Sequence, residues 1–178
     1  MHLLKVSVHS SFAKNKCVAS DWFILIPEPF CQSEEVVMSY KMTREEREAF
    51  LADLHVGVIG IAAPGRGPVV VPIWYSYQPG EEVKFLTNKD SQKTRLLEEA
   101  GRCTLCVQNE APPYQYVSVE GPILSIEDAD HYRDLKPIAV RYLGEEEGEQ
   151  YVQETIDDQE LLVRMALERW STADYGKE

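Results

Sequence analysis

Val69-Val-Val-Pro-Ile-Trp-Tyr-Ser-Tyr77 is followed by Gln78-Pro-Gly-Glu81 and then by Val83-Lys-Phe-Leu-Thr87. The flanking segments are rich in β-branched and aromatic residues, which suit a pleated, half-buried surface. Between them, Pro at the second and Gly at the third turn position fit a type II turn. Upstream, His55-Val-Gly-Val-Ile-Gly-Ile-Ala62 is again β-branched and Gly-rich, and Pro64-Gly-Arg-Gly67 is a turn signal. Residues 55–87 therefore read as an antiparallel meander of three strands.

Outward from this meander, Thr43-Arg-Glu-Glu46 is a capping box for a short helix reaching about Leu51. Downstream, Ser91 is placed as an N-cap, Lys93 to Ala100 are helix formers, and Gly101 is placed to close the helix in a left-handed conformation. Cys103–Gln108 and Tyr116–Leu124 read as strands joined across Ala111-Pro-Pro113. Residues 127–142 read as a helix broken near Pro137, and 161–170 as a last strand. The expected fold is mainly β: a small barrel of six antiparallel strands with peripheral helices, closure removing the exposed edges.

The chain has 178 residues and a net charge of -12, all of which falls in residues 42–178 with 14 basic and 26 acidic side chains. A chain this acidic lacks the cations that hold a phosphate backbone, so nucleic acid is not expected as a partner. Its N-terminal region has no apolar run long enough for a membrane span or a secretory core, so a cytoplasmic protein without a membrane partner is expected. Residues 1–41 mix Ser, Lys, Asn and Pro without a sustained period. They are expected to form an extension with little fixed structure, or to lie upstream of a natural start at Met38 or Met42, leaving 42–178 as the folded domain. Residues 127–160 hold 12 acids against three bases and read as a solvated face.

Cys103 and Cys106 have the spacing of a metal or redox pair, but residues three apart on a strand point to opposite faces, so they read as buried thiols and no metal site is expected. No hydrolase elbow, Walker loop, His-Glu-x-x-His or dinucleotide glycine fingerprint is present, and no catalytic side chain stands out. Two stretches could carry chemistry. From Lys84 to Arg95 four basic residues face the single acid Asp90, and Thr87, Ser91 and Lys93 could meet a phosphate at a helix start. Capping alone also accounts for Ser91. In Val71-Pro-Ile-Trp-Tyr75, Pro72 removes a ladder donor beside Trp74, which fits either a planar ligand or an apolar interface.

The order of these segments, with Tyr116-Val-Ser-Val-Glu-Gly121 and Glu168-Arg-Trp-Ser-Thr-Ala-Asp-Tyr-Gly-Lys177, resembles the pyridoxamine 5'-phosphate oxidase-like, flavin-binding split-barrel family over roughly residues 42–175. It is most similar to small actinobacterial-type members described as flavin- or deazaflavin-dependent oxidoreductases. The resemblance implies a homodimer of split barrels, with flavin mononucleotide (FMN), or alternatively the deazaflavin coenzyme F420, in a groove at the subunit interface. Val71, Pro72, Ile73 and Trp74 would lie along the ring system. Thr87, Ser91 and Lys93 would hold the phosphate, beside Gln92 where true pyridoxamine phosphate oxidases commonly carry arginine. Tyr116 stands where those enzymes have glutamine, and the C-terminus lacks their Arg-rich end, so vitamin B6 oxidation is not the expected activity.

The function expected is an oxidoreductase passing a hydride to or from a small planar substrate, with Trp170 a further candidate for the substrate side. Arg66 and Arg102 are candidates for the extra charge a deazaflavin tail requires. The alternative is a non-catalytic flavin- or haem-binding module of the same fold, with His55 as the candidate iron ligand.

Overall fold

The computed structural model describes residues 39–155 and 159–177, and the expectations for residues 1–38 lie outside them. The capping box forms as read: the Thr43 hydroxyl accepts from the Glu46 amide at 3.2 Å, and the Glu46 carboxylate accepts from the Thr43 amide at 2.7 Å. It starts helix α1, Arg44–Ala52. The meander follows as β1 (Gly57–Ile61), β2 (Val69–Ile73), β3 (Tyr75–Ser76) and β4 (Val83–Asn88). The Glu81 amide donates to the Gln78 carbonyl at 2.9 Å, closing the turn between β3 and β4. Helix α2, Gln92–Ala100, is capped by Ser91 and ends at Gly101 with φ of 63°, a conformation glycine adopts without a Cβ penalty.

Beyond it lie β5 (Arg102–Gln108), β6 (Gln115–Asp128), a π-helical turn at His131–Leu135, α3 (Lys136–Leu143), α4 (Glu145–Glu154), β7 (Glu160–Met165) and β8 (Arg169–Asp174). The strands pair antiparallel in the order β2-β1-β5-β6-β7-β4-β3. The two ends of that order, β2 and β3, are separated in the chain by Trp74 alone, so the sheet curls round into a split barrel at that residue. β8 pairs with the first half of β6, alongside β7 on the second half.

The expected six strands become eight by two divisions. Val69–Tyr77 splits at Trp74, where the chain leaves β1 for β4. Residues 161–170 split into β7 and β8, because the chain between them steps over Gly121: the Ala166 amide bonds to the Pro122 carbonyl and the Glu168 amide to the Glu120 carbonyl. A Cβ on Gly121 would lie 1.9 Å from the Ala166 oxygen, so only glycine permits this crossing. The helix expected from residue 127 starts later. Glu127 and Asp128 are drawn into β6 by pairing with Leu162 and Leu161, and Pro137 sits in the first turn of α3, where its missing amide costs nothing.

Alternation decides what fills the barrel. Ile59, Ile61, Tyr75, Val83, Phe85, Leu105, Val107, Val117, Val119, Val163 and Met165 point inward and are buried, in one core with Leu51 of α1 and Leu97 of α2. Complete burial of one such aliphatic side chain contributes about 1.5–3 kcal/mol. α3 and α4 form a helical pair outside the barrel, packed through Leu135, Ala139 and Val152 against Leu86. No helix among the described residues is long and apolar enough to cross a membrane.

Candidate functional site

Pro72, Ile73 and Trp74 reach the seam where β2 passes into β3, and Lys93 stands in the first turn of α2. The structure brings these four, all singled out in the sequence, to one cavity of about 200 Å³. Its other walls are Leu86 on β4, Leu135 of the π-helical turn, Ile138 on α3, Tyr151 on α4 and Glu160 on β7. Trp74 is half-buried with its ring outside the barrel, stacked on Tyr142 at 5.0 Å and an interplanar angle of 7°, with Tyr151 tilted against it at 5.6 Å. Tyr75 points the opposite way, fully buried, its hydroxyl donating to the Leu51 carbonyl at 2.7 Å.

Tyr142 also fixes the seam through its hydroxyl, which donates to the His55 carbonyl at 2.6 Å and accepts from the Tyr75 amide at 3.2 Å. Burial raises the Tyr142 pKa, keeping that donor protonated. The Lys93 ammonium is the cation of the cavity. Burial lowers its pKa, while the charge of Glu160 across the cavity works in the opposite direction.

The remaining sequence candidates are not among the cavity's walls. Thr87, Ser91 and Thr94 join their hydroxyls in a triangle of 2.9–3.2 Å, and Thr94 also donates to the Asn88 carbonyl at 2.7 Å. Thr87 is 3 % exposed and faces the barrel, whereas Ser91 is half-exposed. Val71 turns inward opposite Ile59, and Gln92 is exposed at the first position of α2. Trp170 lies elsewhere, under the guanidinium of Arg47 at 4.5 Å in a cleft beside α1.

Arg66 is exposed in the turn before β2, and Arg102 pairs with Glu168 at 3.3 Å. His55 stacks on Phe50 at 4.4 Å; burial lowers its pKa, and it lines none of the cavities described above. Cys103 faces the core, where burial pushes its thiol up to about 12, and Cys106 sits half-buried on the outer face, so the pair shares no site.

Sequence reasoning missed the α3 and α4 walls. The signal was Gly148 in the middle of an acidic helix: a Cβ there would lie 2.7 Å from the Val140 backbone, so this glycine marks close helix contact.

Residues 43–174 match the sequence profile of the pyridoxamine 5'-phosphate oxidase family, and the chain belongs to that family. No curated protein matches it. Among solved structures, it is similar to a conserved hypothetical protein of Mycobacterium tuberculosis at a TM-score of 0.65 and 22% identity, over 78% of this chain and 88% of that one. An F420 reductase gives 0.58 and 19%, over 70% and 94%. A protein of Mycobacterium smegmatis described as binding FAD and heme gives 0.54 and 15%, over 75% and 72%. At these identities the likeness is one of fold.

Proposed function

We propose that the protein is a flavin-dependent oxidoreductase that binds FMN and passes a hydride to or from a small planar substrate. The observation that carries this reading is the convergence of Lys93 with Pro72, Ile73 and Trp74 on one cavity, a cation beside an apolar and aromatic wall. Membership of a family whose fold recurs in an F420 reductase and in an FAD- and heme-binding protein supports it.

The donor set fits the phosphate end of such a cofactor. Lys93 would meet the phosphate, with the first-turn amides of Gln92 and Lys93, which have no intrahelical acceptor, aimed the same way. Ser91 is the accessible hydroxyl, and Thr87 and Thr94 hold it in place. Pro72, Ile73 and Trp74 would face the ring. When bound, the flavin supplies the hydride chemistry. The chain positions the ring, keeps water from one face and balances the phosphate charge. FMN is favoured over F420 because Arg66 and Arg102, the cations considered for a longer anionic tail, lie outside the cavity. Vitamin B6 oxidation is not proposed, since Gln92 and Tyr116 replace residues of those oxidases.

A volume of about 200 Å³ is below the roughly 300–1,000 Å³ of small-molecule pockets. One chain therefore supplies part of a wall, and we assign the rest to a second copy. The outer face beside Pro72 suits such a contact: Val58 pairs with Pro72 across the strands, Gly60 with Val70, and Val70 is 59% exposed. The cytoplasm is the proposed location.

Titration of the cofactor-free protein with FMN and separately with F420, followed by fluorescence, tests the reading. Saturable FMN binding that Lys93→Ala abolishes while circular dichroism is unchanged is the expected result. A folded dimer that binds neither compound refutes it.

A further inference from the structure

A second cleft of about 500 Å³ lies on the same outer face of β4 and β7, lined on the strands by Ser76, Lys84, Leu162 and Arg164 and on the helical side by Arg133 and Arg141. Cross-strand register makes it a neighbour of the Trp74 cavity: Asn88 opposes Glu160, Leu86 opposes Leu162, Lys84 opposes Arg164, and Ser76 opposes Lys84. The Trp74 cavity is aromatic and holds Lys93; the second cleft carries four cations beside the carboxylates of Glu81, Glu82 and Asp134.

Three of those cations are committed. Arg164 bridges Glu82 at 2.6 Å and Glu127 at 3.0 Å, Arg133 holds Asp134 at 2.7 Å, and Lys84 stands 3.7 Å from Glu82. Arg141 is different. Its Nη2 donates to the Asp53 carbonyl, its Nε is buried without a hydrogen-bond partner, and no ion pair involves it among the described residues. Its guanidinium lies over the rings of Tyr75 at 5.3 Å and Tyr142 at 5.9 Å. Tyr142 in turn stacks on Trp74. A half-buried guanidinium with no ion-pair partner among the described residues is therefore one aromatic stack away from the ring wall.

We infer that Arg141 is the specificity residue for an acidic substrate, taking the carboxylate of a small planar organic acid in this second cleft. A guanidinium fork matches a carboxylate in two hydrogen bonds, and a low-dielectric wall of tyrosine rings strengthens them. Role and position rest on the cofactor reading above, because only a ring at Trp74 makes this cleft the substrate end. Carboxylate binding itself does not depend on it.

The test uses the full-length, cofactor-free protein, with benzoate as probe, benzamide as its uncharged counterpart and inorganic phosphate as a non-planar anion. Binding is followed by the Arg141 Nε–H resonance and by calorimetry. Benzoate is expected to shift that resonance and saturate, with benzamide and phosphate much weaker. Arg141→Gln is expected to weaken benzoate roughly tenfold or more, and Arg141→Lys, which keeps the charge and loses the fork, by less. Should Arg141→Gln unfold, Arg141→Lys and the resonance shift in the unsubstituted protein decide. Equal binding of benzamide, tighter binding of phosphate, an unmoved Nε–H resonance, or undiminished benzoate affinity in a folded variant overturns the assignment. Because FMN is titrated separately, benzoate binding without FMN binding would remove the flavin reading and leave this subsite standing.

Discussion

Tyr142→Phe is the sharpest probe of the coupling between fold and site. The substitution keeps the ring that stacks on Trp74 and removes one oxygen, which donates to the His55 carbonyl at 2.6 Å and accepts from the Tyr75 amide at 3.2 Å. Tyr75 is fully buried, so its amide is left without water and costs about 1–3 kcal/mol. The His55 carbonyl, on a half-buried residue, adds about 0.5–1.5 kcal/mol. The sum is about 1.5–4.5 kcal/mol, and at roughly 2–4 °C per kcal/mol for a chain of this size the midpoint falls by about 3–18 °C. Urea unfolding with an unchanged m-value is the assay, paired with FMN titration, in which affinity falls because Trp74 loses its fixed seat. A loss below about 0.5 kcal/mol, with Trp74 fluorescence unaltered, shows that water replaces the hydroxyl and that Tyr142 does not clip the seam.

Gly121→Ala places a methyl 1.9 Å from the Ala166 oxygen and is expected to cost upwards of about 3 kcal/mol, whereas Gly60→Ala, with nothing within 4 Å, is expected to be near neutral in the same unfolding assay. Lys93→Met is expected to stabilise the cofactor-free protein at neutral pH. The Lys93 pKa is lower folded than unfolded, so the unfolded chain binds more protons and stability rises with pH between the folded value and 10.5; the variant loses that rise, and thermal melts across this window measure it. Glu46→Gln acts at the other end of the scale. Lys177 and then the Thr43 amide lower the Glu46 pKa below 4.5, so its contribution is present above 4.5 and fades as pH falls through the folded value. Acid-unfolding curves of the two proteins are therefore expected to converge at low pH. Cys103 is expected to resist alkylation in the folded state because its thiol is held at about 12, and rapid labelling under native conditions would contradict its placement.

What could be read from residues alone was whatever local chemistry determines. The capping box at Thr43, the turn at Gln78–Glu81, the left-handed stop at Gly101 and the opposite orientation of Cys103 and Cys106 follow from side chains within a few positions of each other. The split of 161–170 was not legible, because it depends on Gly121 lying beneath Ala166, a contact across 45 residues of chain. Glu127 and Asp128 look like a helix start and become strand because β7 pairs with them. At the site, Pro72, Trp74 and Lys93 could be found because a proline in a strand and a cation at a helix start are local anomalies. Tyr151 sits in an acidic helix whose composition suggests only solvent, and Tyr142 and Arg141 sit on α3, whose packing against the Trp74 seam depends on residues some 70 positions away in the chain.

The seam also explains why the candidate site is where it is. β2 must pair with β1 and β3 with β4, so the chain changes partners at Trp74, the one position between them that neither ladder uses. A residue free of ladder pairing can hold its side chain outside the sheet without costing a strand bond, and the proline two positions earlier stands on a strand paired on one side only, where proline is tolerated. The gap must still be closed against water, which α3 does by laying Tyr142 across it. The same helix, one residue earlier, carries Arg141 over the Tyr75 and Tyr142 rings. The discontinuity that lets the sheet curl closed thus creates the aromatic wall, and the helix that seals it brings the cation that reads the neighbouring cleft.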